Sequence, residues 1–291
     1  MFYSDHKKEN PRQRAFTLIE LLVVIAIIAI LASVLLPVLH QAQVRGATAA
    51  CIDHQKQLAT AWLMYAQDNN DFCAGNNWST EANWQSTYRG IFSPSAPITQ
   101  PTNWISGWMD PSGNSAGPAG ESDNTNDDLL IDPSYASFGD YVKNRKLFIC
   151  PACIVKVEGS TTSGHVYNTI RSVSMNAWVG YTCNPPSSTT IYRTFNKVSG
   201  IQQGMSPVDL FVFMEERGES IDDGSFATIE GTPDIFNWPT DYHNEAATVG
   251  FADGHVDVHR WIGEAASGVA NCTAPQTPVV QSKWTEEQVS V

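Results

Sequence analysis

Apolar side chains run almost unbroken from Phe16 to Leu36, with one carboxylate, Glu20, near the start. A helix rises about 1.5 Å per residue, and about 20 apolar residues span a hydrocarbon core of about 30 Å. The run therefore predicts a membrane-length helix over 16–36. Past Pro37 the pattern changes without losing helical spacing. Val38, Leu39, Ala42, Ala47, Cys51, Leu58, Trp62 and Tyr65 form one apolar stripe with polar residues behind it. The expected helix thus continues as an amphipathic segment over 37–70 and ends in Asp68-Asn69-Asn70-Asp71. A region rich in Asn, Ser, Gly, Pro and Trp follows over 71–146, read as an irregular insert with an exposed loop at Asn114 to Asp128.

Strand patterns begin after it. Leu147 to Ile149, Ser172 to Met175, Leu210 to Met214, Thr248 to Phe251 and His255 to Trp261 carry apolar or alternating residues between turn signals. Asp253-Gly254 reads as the turn of a final hairpin, with Gly254 at positive φ and Asp253 capping the turn through its side chain. Val249, Phe251, Val256 and Val258 carry the alternation. His255, Asp257 and His259 share the opposite face from Val256 and Val258. The β-rich head is expected over 147–264, followed by a loose Ala-, Gly-, Pro-, Gln- and Thr-rich tail over 265–291. The fold class is α+β, with the helix of 38–69 laid across an antiparallel sheet.

Charge and chemistry narrow the function. The basic Lys7, Lys8, Arg12 and Arg14 precede the apolar run, and Ala15 sits at its edge. With Phe16-Thr17-Leu18-Ile19-Glu20, this closely resembles the amino-terminal signal of type IV prepilins and type II secretion pseudopilins. The resemblance implies that residues 1–15 form a leader. A prepilin peptidase would cut between Ala15 and Phe16 and methylate the new amino terminus at Phe16. That places Glu20 fifth in the mature chain, with a role in assembly and methylation, and Pro37 at the family's helix bend. The residue before the cut is usually Gly in that family, and here it is the next smallest, Ala15. The implied partners are other pilin or pseudopilin subunits, the peptidase, an inner-membrane assembly platform and lipid. The implied location is the bacterial inner membrane, single-pass with the head outside the cytoplasm, and then a periplasmic or surface filament.

A lone carboxylate beside lipid needs a cation or donor, and the amino group of the next subunit's Phe16 would supply it in a stacked filament. A membrane anchor with one tolerated Glu is the plainer alternative. A secretory signal peptide fits worse, because its apolar region is shorter and the helical pattern here runs on. The whole chain has 17 Lys+Arg and 30 Asp+Glu in 291 residues. The leader holds four basic and two acidic residues, so the 276 residues after it carry a net −15. That acidity argues against nucleic-acid binding, which needs a basic footprint, and suits an exported domain.

Six cysteines occur: Cys51, Cys73, Cys150, Cys153, Cys183 and Cys272. Their even number and the export signal favour disulfides. Pairing of Cys51 with Cys73 is excluded if the helix between them is unbroken. Its end lies about 27 Å away, and four extended residues return only about 14 Å. Cys150-Pro-Ala-Cys153 also invites a zinc or redox reading. A structural zinc site usually needs two such pairs, and no thioredoxin-like pattern surrounds this one.

His243, followed after nine residues by Asp253-Gly254, resembles the His-x9-Asp-Gly signature of a family of bacterial prepilin-like proteins with an enlarged carboxy-terminal domain. Cys150-Pro151 and Phe213-Met-Glu-Glu-Arg217 also fit that family. Convergence of His243, Asp253 and Glu215 or Glu216 at a strand edge would offer carboxylate oxygens to calcium, with Glu215 and Asp253 as the candidate ligands. Imidazole is a poor calcium ligand, and the simpler reading has Asp253-Gly254 making a turn and His243 bonding nearby backbone. No other cofactor is indicated.

Three functions compete. A structural pilin or pseudopilin subunit fits best, and the large head with its insert favours a minor or specialised one. An exported surface- or glycan-binding protein on the same anchor would use Trp78, Trp84, Trp104 and Trp108, although such residues more often pin irregular loops to a core. A tethered hydrolase lacks support, since Gly-x-Ser-x-Gly, His-Glu-x-x-His and P-loop motifs are absent.

Overall fold

The computed structural model describes residues 17–76, 103–107, 109, 125–153, 156–158, 166–180, 193–218, 220–221, 224–227 and 237–261. The leader, Ala15, Phe16, Cys183, Cys272, Trp78, Trp84, Trp108 and the tail lie outside the described residues. One helix, α1, spans Leu18–Asp68 and passes through both compact units of the chain, Met1–Gln43 and Val44–Val291.

In the first unit α1 is a helix of exposed apolar side chains, from Leu18 through Ile25, Ile28 and Leu31 to Leu39. It is long and apolar enough to cross a membrane, and none of its most apolar stretch is buried against protein. Pro37 lies inside it without ending it. A proline there removes one backbone donor and crowds the carbonyl four residues earlier, which usually bends a helix. A chain beginning at Val38 is expected to leave the membrane fraction and to run as a monomer without detergent, as fractionation followed by gel filtration would report. Retention in the membrane would contradict the assignment of 16–36 as the anchor.

In the second unit the remaining turns of α1 bury Cys51, Gln55, Leu58, Ala59, Ala61, Trp62, Tyr65 and Ala66. The stripe expected from sequence is therefore the packed face over Cys51 to Tyr65. α1 unwinds after Asp68 because Asn70 and Asp71 take positive φ of 54° and 72°, a conformation that Asn and Asp tolerate better than most residues.

The sheet against which this face packs has five strands in the order β5-β3-β4-β6-β7. They are β3 (Val173–Asn176), β4 (Phe211–Glu215), β5 (Ser225–Phe226), β6 (Ala246–Phe251) and β7 (Val256–Arg260). β1 (Lys156–Glu158) and β2 (Val166–Asn168) form a separate antiparallel pair. The expected antiparallel sheet needs one correction, because β5 runs parallel to β3 and makes the sheet mixed. A second correction concerns 147–149. Arg145–Phe148 is a 3₁₀ turn, started by the Asn144 side chain accepting from the Lys146 amide at 3.2 Å. A side-chain cap at the first turn gives these residues a local alternative to strand pairing.

Leu58 and Trp62 of α1 join Trp104, Phe138, Phe148 and Phe213 in one core. Trp104 is its hub, with ring centroids 5.3 Å from Phe213, 5.7 Å from Phe138 and 6.0 Å from Phe148. Its indole donates to the Gly224 carbonyl at 3.2 Å. Of the tryptophans considered for a glycan face, this one is core. A second cluster unites Phe211, Met214, Phe226, Val249, Phe251 and Trp261.

The last hairpin pairs Ala246 with Arg260 through to Gly250 with Val256. Its turn has Gly254 at φ 91°, and the Asp253 carboxylate accepts from the His255 amide at 3.0 Å. Cross-strand partners share a face. Val256 and Val258 therefore lie with Gly250 and Thr248, on the opposite face from Val249 and Phe251. A Cβ at Gly254 would come no nearer than 3.8 Å to Leu63, so space is not the constraint there. The cost of a side chain is conformational. Gly254→Val is expected to destabilise the head by about 1 kcal/mol or more, read as a lower denaturant midpoint of the fluorescence from the buried Trp62 and Trp104.

Candidate functional sites

Two places concentrate chemistry, one in each unit. At the start of α1, Glu20 folds back onto Thr17. Its carboxylate accepts from the Thr17 amide at 2.9 Å and from the Thr17 hydroxyl at 2.8 Å, and the Glu20 amide contacts the same hydroxyl at 3.3 Å. This is a capping box, in which a Thr and a Glu three residues on satisfy each other's orphan amides. The Thr-x-x-Glu spacing announces it in the sequence, and the reading of Glu20 as an inter-subunit charge alone passes over it. The carboxylate thus has a local partner in the single chain, which lowers the cost of placing it at a helix end beside lipid.

The second place lies where α1 meets the sheet. Glu215 and Glu216 are consecutive at the end of β4, so their side chains leave opposite faces. Both are buried. Glu216 takes hydrogen bonds from Ser174, from the Ser220 hydroxyl at 3.0 Å and from the Asn237 amide at 2.7 Å. That arrangement satisfies a structural carboxylate that braces loops.

Glu215 faces α1. One oxygen accepts from the Thr248 amide at 2.8 Å, and the carboxylate lies 3.0 Å from His243 Nε2. The same Nε2 is 3.4 Å from Cys150 Sγ, and Cys150 Sγ is 2.9 Å from Cys51 Sγ. Cys51 comes from α1, Cys150 from the segment between the 3₁₀ turn and β1, Glu215 from β4 and His243 from the loop before β6. The four ligand atoms lie within 4.8 Å of one another, and all four residues are buried.

Neighbours hold each member in place. Thr48 Oγ1 meets His243 Nδ1 at 3.0 Å while giving its own proton to the Val44 carbonyl at 2.8 Å. Nδ1 therefore carries a proton, and Nε2 faces Cys150 and Glu215. The Cys150 amide donates to the Ser172 hydroxyl at 2.7 Å, and its sulfur accepts from the Ala152 amide at 3.3 Å. One turn along α1 from Cys51, Gln55 donates to the Thr248 carbonyl at 2.7 Å and to its hydroxyl at 2.9 Å. Gly250 permits that approach, since a Cβ there would sit 3.0 Å from the Gln55 carbonyl oxygen.

The electrostatics follow from this packing. Burial alone would lower the pKa of His243, but the Cys150 sulfur and the Glu215 carboxylate beside it push it up to about 10. Burial works to raise that of Glu215, and His243 and the donors around it bring it below the usual carboxylate range. Of the two thiols, Cys150 is depressed by the hydrogen bond from Cys51 and by His243, against burial. Cys51, hydrogen-bonded to Cys150 and buried, is raised.

The four described cysteines are unbridged. Cys183 and Cys272 lie outside the described residues, and Cys51 and Cys150 converge with a His and a Glu. Cys73 is packed with its amide on Asn196, and burial pushes its thiol up to about 12. Cys153 lies 4.0 Å from the Tyr242 hydroxyl. The Cys150-x-x-Cys153 spacing therefore does not define the cluster.

Of the residues in the His-x9-Asp-Gly pattern, His243 enters the cluster while Asp253 and Gly254 form the hairpin turn. Glu215 and Asp253, weighed together for calcium, are not brought together. Glu215 meets the Thr248 amide, whereas Asp253 lies beyond Phe251, and Thr248 to Phe251 alone spans about 10 Å of strand. Sequence reading also missed the meeting of Cys51 with Cys150, Glu215 and His243. Three separate marks pointed there, namely Cys150-Pro151, Phe213 to Arg217 and His243, but nothing in their spacing links them to α1.

No curated protein and no solved structure matches the chain. Residues 10–36 match the family described as the prokaryotic N-terminal methylation motif, so the chain carries a prepilin-type amino terminus, joined through one long helix to an α+β head.

Proposed function

We propose that this chain is a structural subunit, a pilin or pseudopilin, of a type IV pilus or type II secretion-type filament. The observation that carries the reading is the methylation motif over residues 10–36, continuous with a first unit whose apolar side chains are exposed along α1. An exposed apolar helix needs lipid or other helices around it. Before assembly the inner membrane supplies the first, and in a filament neighbouring subunits supply the second. Prepilin peptidase cuts between Ala15 and Phe16 and methylates Phe16. Glu20 then exchanges its local bonds to Thr17 for the Phe16 amino group of the adjacent subunit, which fixes the axial step. The assembly platform of the inner membrane would extract the subunit for addition.

The head presents a folded surface on this anchor and is read as structural rather than enzymatic. Its size and long insert suit a minor subunit or a pseudopilin. Immunogold electron microscopy of producing cells tests the reading. Label along filaments, or in short periplasmic assemblies, is expected. Label spread evenly over the envelope, unchanged when the assembly platform is deleted, would favour an anchored surface-binding protein instead.

A further inference from the structure

We infer that Cys51, Cys150, His243 and Glu215 bind one zinc ion, which staples α1 to the sheet and the loops around it. This does not rest on the filament reading, because the site lies wholly within the second unit. The donor set is two sulfurs, one imidazole nitrogen and one carboxylate oxygen, all from buried residues and within 4.8 Å of one another. Tetrahedral zinc places sulfur at about 2.3 Å and nitrogen or oxygen at about 2.0–2.2 Å, which requires ligand atoms about 3.2–3.8 Å apart. Nε2 stands 3.4 Å from the Cys150 sulfur and 3.0 Å from Glu215, close to such edges. The two sulfurs, at 2.9 Å, would open by less than about 1 Å.

Three features point to a metal rather than to a casual cluster. Thr48 accepts from Nδ1 and so directs the Nε2 lone pair inward, as the outer partner of a ligating histidine does. Glu215 is held by the Thr248 amide with its remaining lone pairs turned toward the cluster. The donor chemistry is the third. A buried carboxylate, two sulfurs and an imidazole converge on one space. A divalent ion there would displace the thiol protons and neutralise the thiolates formed. Thiolate and imidazole donors suit a borderline-soft ion such as zinc and suit calcium poorly.

The test uses the full-length chain, extracted from membranes in mild detergent without added metal or chelator. Elemental analysis is expected to give about one zinc per chain. Cys51→Ser and His243→Ala should lose it, and Cys73→Ser should keep it. Thr48→Val leaves all four ligands in place and should weaken zinc binding about 10–100-fold. Because loss of a ligand can also unfold the head, cobalt exchange into the wild-type protein is the second arm. Thiolate-to-cobalt charge-transfer absorption with tetrahedral ligand-field bands is expected. Wild-type protein without zinc, whether its Cys51 and Cys150 are joined in a disulfide or left as thiols, would overturn the inference. So would zinc that survives Cys51→Ser undiminished, or cobalt bound without thiolate absorption.

Discussion

Glu20→Ala is expected to leave membrane insertion and cleavage intact but to remove the chain from filaments when it is expressed beside wild-type subunits. Truncating one partner of a buried charged pair costs about 2–5 kcal/mol at an interface. Even 2 kcal/mol per added subunit lowers the addition equilibrium about thirtyfold. The capping box supplies a sharper comparison. Glu20→Gln keeps an oxygen that can accept from the Thr17 amide but loses the charge. Pairing with the Phe16 amino group predicts that Gln fails nearly as badly as Ala, and that Asp, with its charge kept and its reach shortened, is milder. If local capping were the whole role, Gln would assemble like wild type and Ala would only fray the first turn, at about 0.5–2 kcal/mol. Quantitative immunoblotting of sheared filaments separates these outcomes.

His243→Ala is expected to give the largest loss of stability in the head, about 3–5 kcal/mol. The imidazole stands 3.0 Å from the Glu215 carboxylate with both side chains buried, and deleting it leaves that carboxylate without its ion-pair partner. Thr48→Val removes only the acceptor at Nδ1 and should cost about 1 kcal/mol. Denaturant titrations followed by the fluorescence of the buried Trp62 and Trp104 would measure both. Equal, small effects would show that the cluster does not hold α1 against the sheet.

How much of this was legible in the sequence depended on how local the cause was. α1 was readable because a membrane-length apolar run and an amphipathic stripe share one period, and Asp68 to Asp71 supplied its end. The last hairpin was readable because Asp253-Gly254 fixes a turn that alternation on both sides then extends. β5 was not readable, since two residues carry no period and its parallel pairing with β3 is set by the tertiary fold. The strand expected at 147–149 failed through a local competitor, the side chain of Asn144. The cluster was half legible. Cys150, Glu215 and His243 each sat in a noted pattern, but Cys51 looked like one more apolar position on α1. Gln55 looked polar and therefore wet, yet it is buried against Thr248 and the close approach at Gly250. Contacts between residues about 100 to 190 apart leave no spacing to read.

The most direct test of a prepilin-type subunit is the mass of its amino-terminal peptide after extraction from the membrane. A peptide that begins at Phe16 and carries one methyl group on its amino nitrogen is the expected result. An intact Met1, or a terminus beyond residue 30, would contradict it.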